Sequence, residues 1–185
     1  MGTQSYVALL RGINVGGRNL ISMANLREAF SAFGCQRVRT YIQSGNVVFE
    51  SDGPAAPLEV SIETMLERRF GVRFVAVVRS RLQMRNIVDR APDHFGEQPG
   101  TYHSDVIFLK SPLSSRQAMR VVEICGEVDQ AWPGAGVLYF ARLSARRTQS
   151  RLSRIVGTPE YKMMTIRTWT TTTRLLGLLE DGTLV

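Results

Sequence analysis

Residues 6–79 alternate short β-rich runs with amphipathic stretches in the order β-α-β-β-α-β, and few folds accept that order in about 75 residues. YVALLR, 6–11, reads as a buried strand. Residues 22–34 place Met23, Leu26, Phe30 and Phe33 at helical spacing, with Ser22 as cap and Gly34 as stop. In VRTYIQSGNVVFES, the runs 38–43 and 46–50 flank Ser44-Gly45, a hairpin signal. Residues 57–70 form a second helix with Leu58, Ile62, Met65 and Leu66 inward. Its acids, Glu59 and Glu63, come early and its arginines, Arg68 and Arg69, late, as the helix dipole favours. Gly71 ends it, and 73–79 is the fourth strand. The pattern predicts a ferredoxin-like unit with strands 6–11 and 45–50 side by side at the sheet centre.

The second half repeats this order less cleanly. A linking helix over 80–91 starts at Ser80 and stops before Pro92, and the loop PDHFGEQPGT follows. A strand over 102–109 leads to a helix from Ser114 or Ser115 with Ala118, Val121, Val122 and Cys125 on one face. Strands are expected near 127–131 and 136–142, joined around Pro133-Gly134. A short helix over 149–156, a strand near 163–167 and a helix from about 171 to 180 complete the chain. The expected class is α+β: two ferredoxin-like (βαββαβ) halves, 1–79 and 80–185, with antiparallel sheets and helices packed on one face.

Length and composition set the limits. A chain of 185 residues makes one large domain or two small ones. At 44% hydrophobic and 21% charged its composition is that of a globular protein. No apolar run approaches the roughly 20 residues of a membrane span. The N-terminus lacks the basic start and apolar length of a signal peptide, so a cytoplasmic protein with no membrane partner is expected. Cys35 and Cys125 have no CxxC spacing, and His94 and His103 lie far from them, so no metal site or cofactor is expected.

The formal net charge is +7, unevenly spread. Residues 1–129 carry 15 basic and 13 acidic side chains, residues 130–185 carry 8 and 3. The run RLSARRTQSRLSR, 142–154, holds five arginines and no acid. A basic surface of this kind is either a solvated face or one that meets an anion.

The first strand runs into LRGINVGGRN, 10–19. Gly12 and Gly17 have Walker A spacing, but Arg18 and Asn19 stand where that motif needs lysine and a hydroxyl that holds magnesium. The helix also starts late, near Ser22, so a P-loop NTPase is excluded. An anion nest of Gly-rich backbone (Gly12, Gly16, Gly17) beside Arg11 and Arg18 remains, against the alternative of a tight strand exit. Gln43, Ser44 and Asn46 cluster at the hairpin, as turn chemistry or as ligand-reading groups. Antiparallel pairing of the first and third strands brings Arg11, Gly12 and Asn14 near Gln43, Ser44 and Asn46, and two polar loops at one sheet end make a candidate site. TQSRL, 148–152, places Arg151 near a helix start. TIRTWTTTTRLL, 165–176, places Arg167 and Trp169 before another. One reading makes Trp169 core and Arg167 a surface charge; the other makes the pair an anion or base site at a helix N-terminus.

YVALLRGINVGGRNLISMANLREAF and GCQRVRTYIQSGNVVFES closely resemble the N-terminal half of the bacterial family called domain of unknown function 1697. The resemblance continues through FGVRFVAVVRS and returns at QSRL (149–152) and IRTWTTTTRLL (166–176). It implies two ferredoxin-like halves and a bacterial cytoplasmic protein, and no named activity. The family's C-terminal motif usually reads Arg-Asn-Trp-Asn-Thr; this chain has Arg167-Thr168-Trp169-Thr170-Thr171. If the asparagine amides contact a ligand, this protein binds it differently or not at all. If they cap a helix, threonine serves nearly as well. Arg18 stands where relatives often have lysine, which keeps the charge.

The favoured functional expectation is a small anionic, phosphate- or nucleotide-like ligand. Arg11, Asn14, Arg18, Gln43, Ser44 and Asn46 form one wall, and Arg151, Arg167 and Trp169 a second if the halves fold together. The alternatives are a nucleic-acid-binding module, for which Tyr6 and Phe49 are the available central-strand aromatics, and an interaction module whose polar loops are structural. The residues compose no Ser-His-Asp set and no paired carboxylates, so whether the protein is an enzyme is left open.

Overall fold

The computed structural model describes residues 2–13 and 21–181. It divides into two compact units, one of residues 1–84 with 175–185 and one of 85–174.

The first unit contains β1 (Gln4–Arg11), α1 (Met23–Ala32), β2 (Gln36–Tyr41), β3 (Asn46–Ser51), α2 (Ala55–Phe70) and β4 (Val75–Ser80). Its sheet has the order β2-β3-β1-β4, with every neighbouring pair antiparallel. Strands β1 and β3 are central, in a register that pairs Tyr6 with Phe49 and Leu9 with Asn46. The period of two puts Tyr6, Ala8 and Leu10 of β1, Val47 and Phe49 of β3, and Ala76 and Val78 of β4 on one face. There they meet Leu26 and Phe30 of α1 and Leu58, Ile62 and Leu66 of α2. Phe49 lies 5.8 Å from Tyr6 in a stacked arrangement and 5.4 Å from Phe30 edge-on. Each of these large side chains contributes about 1.5–3 kcal/mol by leaving water. Both faces of β1 are buried, which is why its sequence is a continuous apolar run and not an alternation.

Local signals set the helix ends. The Ser22 hydroxyl accepts the Asn25 N–H at 3.0 Å. Gly71 takes the left-handed conformation at φ 69° and donates its N–H to the Glu67 carbonyl. Helix α3 (Arg81–Asp89) starts with a reciprocal pair: Gln83 N–H donates to Ser80 Oγ, and Ser80 N–H to Gln83 Oε1. One expectation fails here. Phe33 lies beyond the last turn of α1, at its C-terminal cap, and is 38% exposed, outside the inward stripe.

The second unit contains β5 (Tyr102–Leu109), α4 (Ser115–Val121), β6 (Asp129–Gly134), β7 (Val137–Leu143) and β8 (Met164–Thr168). Its sheet has the order β6-β7-β5-β8, again all antiparallel, so position for position it repeats the first. Both orders are consistent with ferredoxin-like halves. Ile107, Leu109, Leu138, Phe140 and Met164 form the sheet side of its core, and Ala118 of α4 packs on them. Helix α5 (Trp169–Glu180) begins in this unit and ends in the first, where Arg39 Nη2 donates to the Leu178 carbonyl at 2.8 Å.

Three details of this half differ from expectation. Helix α4 ends at Val121, and Cys125 lies in a turn whose N–H donates to Asp129 Oδ2. Pro133 and Gly134 belong to β6, so the hairpin turn comes after them. The short helix expected over 149–156 is a 3-10 helix at Leu152–Gly157, flanked by two more at Ser144–Gln149 and Pro159–Met163. This stretch has too few apolar side chains at helical spacing to build a stripe, and Asp129 Oδ2 anchors it by accepting the Arg151 N–H at 2.8 Å.

Candidate functional site

The end of the first sheet brings two expected elements together. Leu10 N–H donates to the Gly45 carbonyl at 2.8 Å, tying the exit of β1 to the β2–β3 hairpin. Gly45 has φ 74°, and a Cβ there would overlap Ile13 Cγ2 and come within 3.0 Å of Leu10 Cβ. Glycine is required on both counts: the left-handed backbone and the close approach of the exiting strand. Asn46 is fully buried, and its amide nitrogen donates to the Tyr41 carbonyl at 3.1 Å and to Ser44 Oγ at 2.9 Å. Asn46 and Ser44 therefore shape the hairpin from inside, while Gln43 is exposed. Ile42 beside it has φ 49° and is 50% exposed. A β-branched residue held in that region stores backbone strain. Arg11, half-buried, ends β1 opposite Val75, and Gly12 follows at φ 78°. Asn14, Gly16, Gly17 and Arg18 lie outside the described residues.

The other three candidates belong to the second unit. Arg151 is exposed, and its backbone is held by Asp129. Arg167 is not a surface charge. It is 9% exposed, and its Nη1 donates to Thr165 Oγ1 at 2.9 Å and to the Ile166 carbonyl at 2.8 Å. Burial pulls its pKa down to about 10. Trp169 opens α5. The cap of that helix is Thr168, whose Oγ1 accepts the Thr171 N–H at 3.2 Å, so threonine does the capping work open to an asparagine.

Trp169 also belongs to a cluster that the sequence did not reveal. Phe95, from the loop between α3 and β5, meets Trp169, Tyr139 and Trp132 edge-on, with centroids 5.1, 5.3 and 6.1 Å away. Tyr139 OH donates to the Ile87 carbonyl at 2.6 Å. Beside the cluster is a pocket of about 200 Å³ that includes Phe95, Gln98, Tyr102, Ser104, Gln130 and Trp132 in its lining. Ser104 pairs with Ala141 and Ala141 with Gln130, so the floor of the pocket is one row across β5, β7 and β6. The loop PDHFGEQPGT carries a lone aromatic, Phe95, and nothing local to it marks its meeting with residues of β6, β7 and α5.

On the helix-bearing face, Asp105 is 3% exposed and accepts from Arg142 Nη2 at 3.0 Å, with His103 Nε2 at 3.2 Å. Burial raises the pKa of this carboxyl, and the charges of His103 and Arg142 oppose the rise. The trio ties β5 to β7. Among the described residues no group of three or more His, Cys, Asp or Glu is placed to hold a metal ion. No helix among them is long and apolar enough to cross a membrane. Tyr6 and Phe49 are 2% and 0% exposed beneath the helices, so they form no open base-stacking platform.

No curated protein matches the chain. Among solved structures it is similar to the conserved bacterial protein SP0830 from Streptococcus pneumoniae, at 23% identity and a TM-score of 0.85, over 97% of this chain and 100% of that one. At that identity the likeness speaks for the fold, across both units. The model of the family described as "Protein of unknown function (DUF1697)" matches residues 3–139, which include the two loops at the end of the first sheet. The chain belongs to that family.

Proposed function

We propose that this protein binds a small anionic ligand, phosphate- or nucleotide-like, at the end of the first sheet. The observation that carries the reading is the junction of β1 with the β2–β3 hairpin. It sets the cationic Arg11 at the end of the strand whose exit the Gly45 carbonyl ties to the hairpin, with the left-handed Gly12 directly after it. On that hairpin Gln43 is exposed beside the strained Ile42. Strained backbone persists where surrounding structure enforces it, and such positions gather at ligand sites. The formal net charge of +7 favours anions at long range. Asn14, Gly16, Gly17 and Arg18 complete the proposed wall, with Ser44 and Asn46 holding the hairpin in shape. Arg151, Arg167 and Trp169 are candidates of the second unit.

The test is thermal unfolding with inorganic phosphate, nucleoside mono-, di- and triphosphates, and short RNA and DNA, each at low and high salt. A ligand at about 100 times its dissociation constant stabilises by roughly 2.7 kcal/mol. A shift with a small anion, lost in Arg11→Ala and in Arg18→Ala, is the expected result. A shift confined to polynucleotides and collapsing at high salt overturns the reading in favour of nucleic-acid binding. An equal shift in both arginine variants also overturns it.

A further inference from the structure

The pocket in the second unit has a feature that internal packing does not use. Ser104 is 8% exposed, its Oγ is out of contact with solvent, and that oxygen has no hydrogen-bond partner among the described residues. Ser104 lines the pocket of about 200 Å³. A buried hydroxyl without a partner is costly in a folded protein, and a bound ligand that engages it removes the cost. The other walls restrict what that ligand is. Phe95, Trp132 and Tyr102 offer aromatic surface, and Phe95 already packs edge-on against Trp132. Gln98 and Gln130, both exposed residues, add amide groups to the lining. The charged lining residues are Asp93 and His94, and His94 Nδ1 is paired with Glu97 at 2.8 Å. The rim therefore carries more carboxylate than cation and disfavours phosphate.

We propose that this pocket binds one uncharged aromatic nitrogen heterocycle of nucleobase size. The ring packs on the aromatic wall, the Ser104 hydroxyl turns from its buried position to meet a ring nitrogen or N–H, and the exocyclic groups face the glutamine amides. Three properties select this class. The volume holds one ring system and little more. Aromatic walls favour a flat guest with a π face. A sugar of similar size carries several hydroxyls, and one buried polar atom cannot satisfy them, so its desolvation goes uncompensated.

Both tryptophans of the chain belong to this neighbourhood, Trp132 in the lining and Trp169 against Phe95, so intrinsic fluorescence reports on it directly. The experiment titrates the full chain with adenine, uracil, glucose and inorganic phosphate, excited at the red edge where the probes do not absorb. A saturable change with adenine or uracil is expected. Ser104→Ala weakens it at least about tenfold while leaving the unfolding midpoint in place, because the substitution breaks no hydrogen bond in the free protein. Ser104→Val, which also fills the space of the hydroxyl, weakens it further. Arg11→Ala leaves heterocycle binding unchanged, so this pocket and the anion site fail or stand separately. No saturable change with either heterocycle overturns the proposal. So does equal affinity in wild type and both Ser104 variants, and so does saturation by glucose or phosphate alone.

Discussion

Gly96 packs against the indole of Trp169 with no room for a side chain between them. Its backbone has φ 80°, and a Cβ built on it would overlap Trp169 Cδ1 and Nε1. Phe95 closes on the same ring edge-on, with the centroids 5.1 Å apart. Gly96→Ala adds the left-handed penalty to a steric clash and is expected to destabilise the protein by about 2–4 kcal/mol. Urea unfolding followed by tryptophan fluorescence measures it. Wild-type stability in the variant would show that the loop moves away from Trp169 at little cost.

Tyr139 fixes the neighbouring helix through one bond. Its hydroxyl donates to the carbonyl of Ile87 near the end of α3, and Tyr139 is 2% exposed. Tyr139→Phe is expected to cost about 1–2 kcal/mol. Burial pushes the hydroxyl pKa up from 10.0 to about 12, against the pull of Arg90. An unfolded tyrosine ionises first, so between those values the unfolded state releases a proton that the folded state keeps. The contribution is complete below pH 10 and is lost as pH rises toward 12. Unfolding free energies measured from pH 8 upward should fall more steeply in wild type than in Tyr139→Phe.

Asp129 organises the arginine-rich stretch from a distance. It is 1% exposed, and its Oδ2 accepts the N–H groups of Cys125 at 3.0 Å and Arg151 at 2.8 Å. Asp129→Ala leaves two backbone donors to find new partners and is expected to cost about 2–4 kcal/mol. Hydrogen exchange should show lost protection at Cys125 and Arg151 first.

Ile42 carries strain at the hairpin. With φ 49° and half its surface exposed, it gains little from burial. Ile42→Gly relieves the conformation and should raise stability by about 0.5–1 kcal/mol after the entropy lost by glycine. If the hairpin serves the anion site, the same variant weakens anion binding in the thermal assay. A stabilised variant with unchanged binding would assign the strain to the turn alone.

The first unit was largely legible because its information is local. Ser22 and Ser80 start helices and Gly71 ends one through contacts within a few residues, and the apolar stripes of α1 and α2 face the alternating residues of three strands. Pairing of β1 with β3 followed from the order of elements, and it brings the exit of β1 to the β2–β3 hairpin; the close approach of Gly45 to Leu10 and Ile13 was visible only in the structure. In the second unit the same strand order arose without a sequence repeat, since β5 to β8 keep only the apolar alternation.

What the sequence by itself determined is therefore the α+β class, the element order and the glycines at the hairpin and helix ends. These depend on propensity and periodicity, which act over a few residues. The tertiary structure alone decided that Tyr6 and Phe49 face the helices and that Arg167 is buried. It also decided that Asp129 anchors Arg151 between the 3-10 segments of 144–149 and 152–157, and that Phe95 and Gly96 meet Trp169 beside an unsatisfied Ser104. Each of these depends on groups brought together from distant parts of the chain, and no local pattern encodes such a meeting.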